Sequence, residues 1–153
     1  MADAPHELSI TRLLHVTPAA VWQAWTGHLA EWWCPRPWTT KLVEADLRPG
    51  GRFATIMRGP AGEEHVNEGV FLEVAPERRI VFTDMFRAGW LPQDGMMLAV
   101  MEFAPEAGGT RYTATVRHWT AEARERHAAM GFDQGWGAVA GQLEAVAARV
   151  GEA

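Results

Sequence analysis

The stretch TAEARERHAAMGFDQGWGAVAGQLEAVAARV, residues 120–150, decides how the chain is read. Thr120 suits a helix N-cap, because its hydroxyl can accept a backbone N–H of the first turn, and Glu122 sits where the helix dipole favours an acid. Phe132, Trp136, Val139, Leu143, Val146 and Val150 recur at three- and four-residue intervals, which aligns them on one helix face. The spacing predicts a single long amphipathic helix over about 121–150. Gly131, Gly135, Gly137 and Gly141 lie inside it, each costing about 1 kcal/mol relative to alanine. That cost implies close approach to another element or a bent first half.

A helix with one apolar stripe needs a surface to bury it, and the preceding residues supply a sheet. Leu8 to Val16 alternates in part, with Leu8, Ile10, Leu14 and Val16 on one parity, as a half-buried strand does. Thr17-Pro18 reads as N-cap and first helical position, opening a short helix through Ala19, Val21, Trp22 and Trp25. A second helical piece, His28 to Trp33, stops before Pro35 and Pro37, giving an insertion of two short helices at about 18–33. From Thr39 to Trp119, turn-forming clusters such as Pro49-Gly50-Gly51, Gly59 to Gly62, Pro76-Glu77, Pro92 to Gly95 and Pro105 to Gly109 separate apolar runs. The runs include Phe53–Met57, Val66–Val74, Ile80–Phe86, Met96–Phe103 and Thr110–Val116. Six strands are expected there and seven in all. The order β-α-α-β6-α places the chain in the α+β class, as one domain over 1–153: a curved antiparallel seven-stranded sheet wrapped around a long C-terminal helix. A curled sheet and one helix leave space between them, so the architecture predisposes to a cavity.

The 153 residues are enough for a core that needs neither disulfide nor metal. Cys34 is the only cysteine, which rules out an internal disulfide and fits a reducing compartment. The first seven residues have no basic stretch followed by an apolar run, and no window approaches the roughly 18 apolar residues of a membrane helix, so a cytoplasmic protein is expected. A net charge of −5 without a basic stripe argues against nucleic acid as a partner. Eight Trp and seven Met imply a large, adaptable apolar interior. A homodimer through an edge strand is compatible with the sequence, which does not specify one.

Candidate site residues follow from strand parity. Glu68 shares its parity with Val70, Leu72 and Val74, and His118 with Tyr112, Ala114 and Val116, so both are expected to point inward. Arg12, on the parity of Ile10 and Leu14, is their expected charge partner, and Asp84, on the parity of Ile80 and Phe82, faces inward or ends its strand. Glu68 and His118 would orient a ligand's polar end, act as an acid/base pair, or make structural hydrogen bonds. Trp32, Trp33, Phe53, Val70, Phe82, Met101, Phe103, Phe132 and Trp136 are the expected apolar lining, with core packing as the alternative for each. No His/Cys/Asp/Glu group has metal-ligand spacing, neither a nucleophile elbow nor a phosphate loop is present, and no cofactor is expected.

Several stretches resemble the family named after the activator of the heat-shock-protein-90 ATPase, within the START-like (SRPBCC) superfamily. They are Val21-Trp22-Gln23-Ala24-Trp25-Thr26 with Trp32-Trp33-Cys34-Pro35, Asp46 to Phe53, Asn67-Glu68-Gly69-Val70-Phe71, Ile80 to Asp84, Gly109 to Thr113, and Arg126-His127 to Phe132. The resemblance implies a helix-grip fold and the binding of sterols, lipids, polyketides or other apolar molecules, with cyclases and hydratases as a catalytic minority. The family name also implies a co-chaperone-like interaction module with a chaperone partner as a third reading. The leading expectation is non-catalytic binding of a hydrophobic small molecule in an internal cavity.

Overall fold

The Thr17 hydroxyl accepts the Ala20 N–H at 3.2 Å, so strand β1 (His6–Leu14) turns directly into helix α1 (Pro18–Gly27), as the Thr-Pro pair predicts. A 3₁₀ turn over Leu29–Glu31 takes the place of the second short helix, since Pro35 and Pro37 leave too few residues for a longer one. The computed structural model describes residues 6–151; the first five of the seven residues on which the leader expectation rests lie outside them. Six further strands join β1 in one sheet: β2 (Thr39–Ala45), β3 (Arg52–Arg58), β4 (Glu64–Ala75), β5 (Arg79–Thr83), β8 (Leu98–Glu106) and β9 (Gly109–His118). Its order is β1-β9-β8-β5-β4-β3-β2, with every neighbouring pair antiparallel. The predicted run Ile80–Phe86 is divided: β5 ends at Thr83, and β6 (Phe86–Arg87) pairs with β7 (Leu91–Pro92) in a separate small hairpin.

The C-terminal segment departs from the single predicted helix. It forms α2 (Ala121–Ala129) and α3 (Phe132–Gly151), separated at Met130-Gly131. Gly131 has φ +88°, a left-handed conformation that glycine adopts at little cost and that ends a helix. The other three glycines stay within α3, so only one of the four marks a break.

Helices α1 and α3 pack against each other on one face of the sheet. Facing them are Ile10 and Leu14 of β1, Phe53 of β3, Phe71 of β4, Ile80 and Phe82 of β5, Met101 and Phe103 of β8, and Tyr112, Ala114 and Val116 of β9, all buried. On the helix side Val21, Ala24 and Trp25 of α1 meet Phe132, Leu143, Val146 and Val150 of α3. Burial of each such side chain contributes roughly 1.5–3 kcal/mol, and this layer is what holds helix and sheet together. No helix is long and apolar enough to cross a membrane among the described residues.

Candidate functional site

Trp25, 1% exposed, is the hub of the interior. Its ring centroid lies 5.8 Å from Trp32, 5.4 Å from Trp33, 5.9 Å from Phe53 and 6.3 Å from Phe82, and Phe53 stacks on Phe71 at 4.7 Å. Tilted and edge-on contacts of this kind suit the aromatic quadrupole. The Trp32 indole N–H donates to the Ala24 carbonyl at 3.0 Å. The Trp25 N–H is buried without a partner. The nearby Tyr112 hydroxyl has only the Met101 sulfur to donate to, at 3.7 Å, and Tyr112 stacks on Phe103 at 5.8 Å. Burial pushes the Tyr112 phenol well above its ordinary pKa, while the Trp25 N–H facing it acts the other way. The Trp25 N–H, short of a full hydrogen bond, and the Tyr112 hydroxyl, which donates only to a thioether, therefore face each other inside an apolar core.

Trp33 is half-buried and touches both this interior and the outside. Its ring lies 5.5 Å from Phe53 and 5.7 Å from Phe82, and it also lines a surface cleft of about 370 Å³ with Trp32, Trp38, Cys34, Thr40, Arg36 and Gln142. Burial pushes the Cys34 thiol up, against the opposing hydrogen bond that the Thr40 hydroxyl donates to its sulfur at 2.9 Å. A second surface cleft, of about 860 Å³, runs along the start of α1 and the β4–β5 turn, past Glu73, Arg78, Arg79 and Phe103.

The polar candidates do not assemble as expected. Glu68 pairs in register with Ala54, one residue out of step with the interior-facing Phe53, and so projects from the opposite face of the sheet. There Arg52 grips its carboxylate through two hydrogen bonds of 2.8 Å, which holds its pKa below the ordinary range against a smaller opposing effect of burial. The reason for the reversal is a bulge between Phe71 and Glu73, which shifts the alternation so that Val74 faces inward although Glu68 does not. Val70 is on the outer face with Glu68 and cannot line the interior; it is buried in that position, with the β6–β7 hairpin packed on the same strand.

Arg12 keeps its expected inward parity opposite Tyr112, but at the edge of the sheet, with its guanidinium over Gly137 of α3. It pairs with neither Glu68 nor His118. Asp84 ends β5 as a turn residue, its carboxylate accepting the N–H groups of Met96 and Met97 at 2.8 and 3.0 Å. His118 does point inward, 6% exposed, and its partner is His127, with Nε2 and Nδ1 2.9 Å apart. The His6 carbonyl lies 3.1 Å from His118 Nδ1, so that nitrogen carries a proton.

His127 is the residue that parity reasoning did not reach, because it sits on a helix whose other residues are alanines or charged and form no apolar stripe. Its signal was its place in the Arg126-His127 to Phe132 stretch. The rings of Phe132 and Trp136 lie 5.3 and 6.1 Å from it, and burial, reinforced by His118, depresses its pKa to about 4. Among the described residues no group of three or more His, Cys, Asp or Glu could hold a metal ion.

The family described as "Activator of Hsp90 ATPase homolog 1-like protein" matches residues 15–148. No curated protein matches the chain. Among solved structures, a protein of Nitrosomonas europaea is 38% identical, with a TM-score of 0.91 over 99% of this chain and 100% of that one. A protein of Mycobacterium smegmatis is 25% identical, with a TM-score of 0.81 over 95% and 93%. The AHSA1 protein of Silicibacter pomeroyi, at 21% identity, a TM-score of 0.69 and coverage of 91% and 95%, shares the fold. The sheet gripping a C-terminal helix is thus the helix-grip architecture of this group.

Proposed function

The chain belongs to the family of Activator of Hsp90 ATPase homolog 1-like proteins, and from that premise we propose that it is a non-catalytic binder of an apolar small molecule of sterol, lipid, polyketide or aromatic type. The observation that carries the reading is the buried Trp25 N–H, which makes no full hydrogen bond, beside a Tyr112 hydroxyl that donates only to a thioether. An unpaired buried donor costs roughly 1–3 kcal/mol, and both groups call for the same complement, a single oxygen acceptor on an otherwise apolar molecule. A ketone or ether oxygen reaching this pair would relieve the cost, and the surrounding aromatic rings would cover its carbon skeleton.

The acid/base alternative loses its assembled pair. Glu68 and His118 lie on opposite faces of the sheet, Glu68 bound to Arg52 and His118 to His127. Access to Trp25 is by displacement of Trp33, the half-buried ring between the surface cleft and the interior. Titration with 9-fluorenone and with fluorene, which lacks the oxygen, tests the reading by NMR of the tryptophan indole resonances. Fluorenone should move the Trp25 resonance and bind more tightly, and Tyr112→Phe should weaken it by about two- to tenfold. A Trp25 resonance that stays fixed with fluorenone, sterols and fatty acids alike would remove the proposal.

A further inference from the structure

We propose that the tryptophan cleft on the surface is a binding site in its own right, for a small planar aromatic molecule carrying one anionic group, with Arg36 as its anion contact. The cleft is outside the Trp25 pair and does not require the interior to open. At about 370 Å³ it falls in the range of small-molecule sites.

Its walls are fixed before any ligand arrives. Gln142 of α3 ties down the segment that forms one side: its amide nitrogen donates to the carbonyls of Trp32 and Cys34 at 3.1 and 2.9 Å, and its amide oxygen accepts the Arg36 N–H at 3.1 Å. Trp38 forms the other side. One face of its ring stacks on His65 at 5.6 Å, and its edge lies over Gly59, where a Cβ would approach a ring carbon to 2.8 Å. Only glycine admits the ring so close to the backbone. A preformed aromatic slot of this kind loses little conformational freedom on binding.

The charged groups of the cleft then set the sign of the ligand. The Thr40 hydroxyl donates to Cys34, the Gln142 amide is committed to three backbone groups, and Glu31 on the rim is paired with His28 and Arg149. The Arg36 guanidinium has no carboxylate partner among the described residues. In a chain of net charge −5 it is an unpaired cation beside an aromatic slot, which favours one carboxylate or sulfonate on a flat ring system. A flexible aliphatic acid would forgo the ring contacts.

The test uses 1-naphthoate, neutral 1-naphthalenemethanol and octanoate as probes, with affinities from calorimetry and location from the tryptophan indole resonances. Wild-type protein should bind naphthoate more tightly than either other probe, moving the Trp33 and Trp38 resonances and leaving that of Trp25 in place. Arg36→Gln, a surface change that leaves the fold intact, should weaken naphthoate about tenfold and leave the neutral alcohol unchanged. Trp38→Leu should weaken both aromatic probes. Equal binding of octanoate, an Arg36→Gln affinity for naphthoate like that of the wild type, or shifts at Trp25 in place of Trp38 would overturn the proposal. Because the interior reading is judged by the Trp25 resonance and Tyr112→Phe, either proposal can fail without the other.

Discussion

Helices α2 and α3 are consecutive in sequence, yet they are held to the protein by different forces. Over 20 residues α3 buries Phe132, Ala140, Leu143, Val146, Ala147 and Val150 against α1 and the sheet. In contrast, α2 buries only His127 in its nine residues. Its attachments are few: the His127–His118 hydrogen bond, the edge-on contacts of the His127 ring with Phe132 and Trp136, and the Arg124 side chain donating to the Glu7 carbonyl at 2.9 Å. Apolar area anchors α3 and a few directional contacts anchor α2, so the two should open at different free energies.

The strongest way to break that comparison is to remove apolar contact from α3. Leu143 is fully buried, and Leu143→Ala should cost about 2–5 kcal/mol of global stability, read from urea unfolding. A loss comparable with that of an exposed substitution would mean that α3 is not the anchor. His127→Gln should instead speed hydrogen exchange across α2 before it moves the global midpoint.

Next in size is the junction. A Cβ on Gly131 would meet nothing within 4 Å, so Gly131→Ala tests the backbone conformation alone. Holding alanine at φ +88° should cost about 1–2 kcal/mol. A gain in stability would show that the segment prefers the continuous helix that its apolar spacing suggests.

Acidification sharpens the contrast further. His127 has a pKa of about 4 in the folded protein, below the ordinary value of 6.5, so the unfolded chain takes up its proton first as pH falls. Its contribution is therefore complete above about 6.5, declines between about 6.5 and 4, and is lost below. Amide exchange in α2 should rise through the upper part of that window, above the range where ordinary carboxylates titrate, and α3 should respond less. His127→Asn should flatten the dependence; an unchanged slope in that variant would assign it to another group.

The fold was largely legible because its signals are local and redundant. Thr17-Pro18 starts a helix, glycine and proline clusters divide the strands, and the stripe from Phe132 to Val150 marks the last helix. The helix break was less so, because four glycines cost the helix alike on paper and only the backbone angle separates Gly131 from the rest. Site residues were legible where alternation ran unbroken, as for His118 on β9, and illegible across the β4 bulge, where one extra residue carried Glu68 and Val70 to the other face. Neither the Trp25–Tyr112 contact nor the cleft has a local signature, since each joins residues from separate elements.

The smallest predicted effect bears on that bulge. The side chains of Arg52 and Glu68 are 37% and 26% exposed, and a pair so open to solvent contributes at most about 1 kcal/mol. Glu68→Gln should therefore lower stability by less than that and leave fluorenone affinity unchanged, because the carboxylate is separated from Trp25 by the thickness of the sheet. If affinity fell tenfold while stability held, Glu68 would have to face the interior, and the register shift between Phe71 and Glu73 would have to lie elsewhere in β4. A change of one residue in register thus decides whether this carboxylate belongs to the site, and a conservative substitution on the outer face is enough to find out.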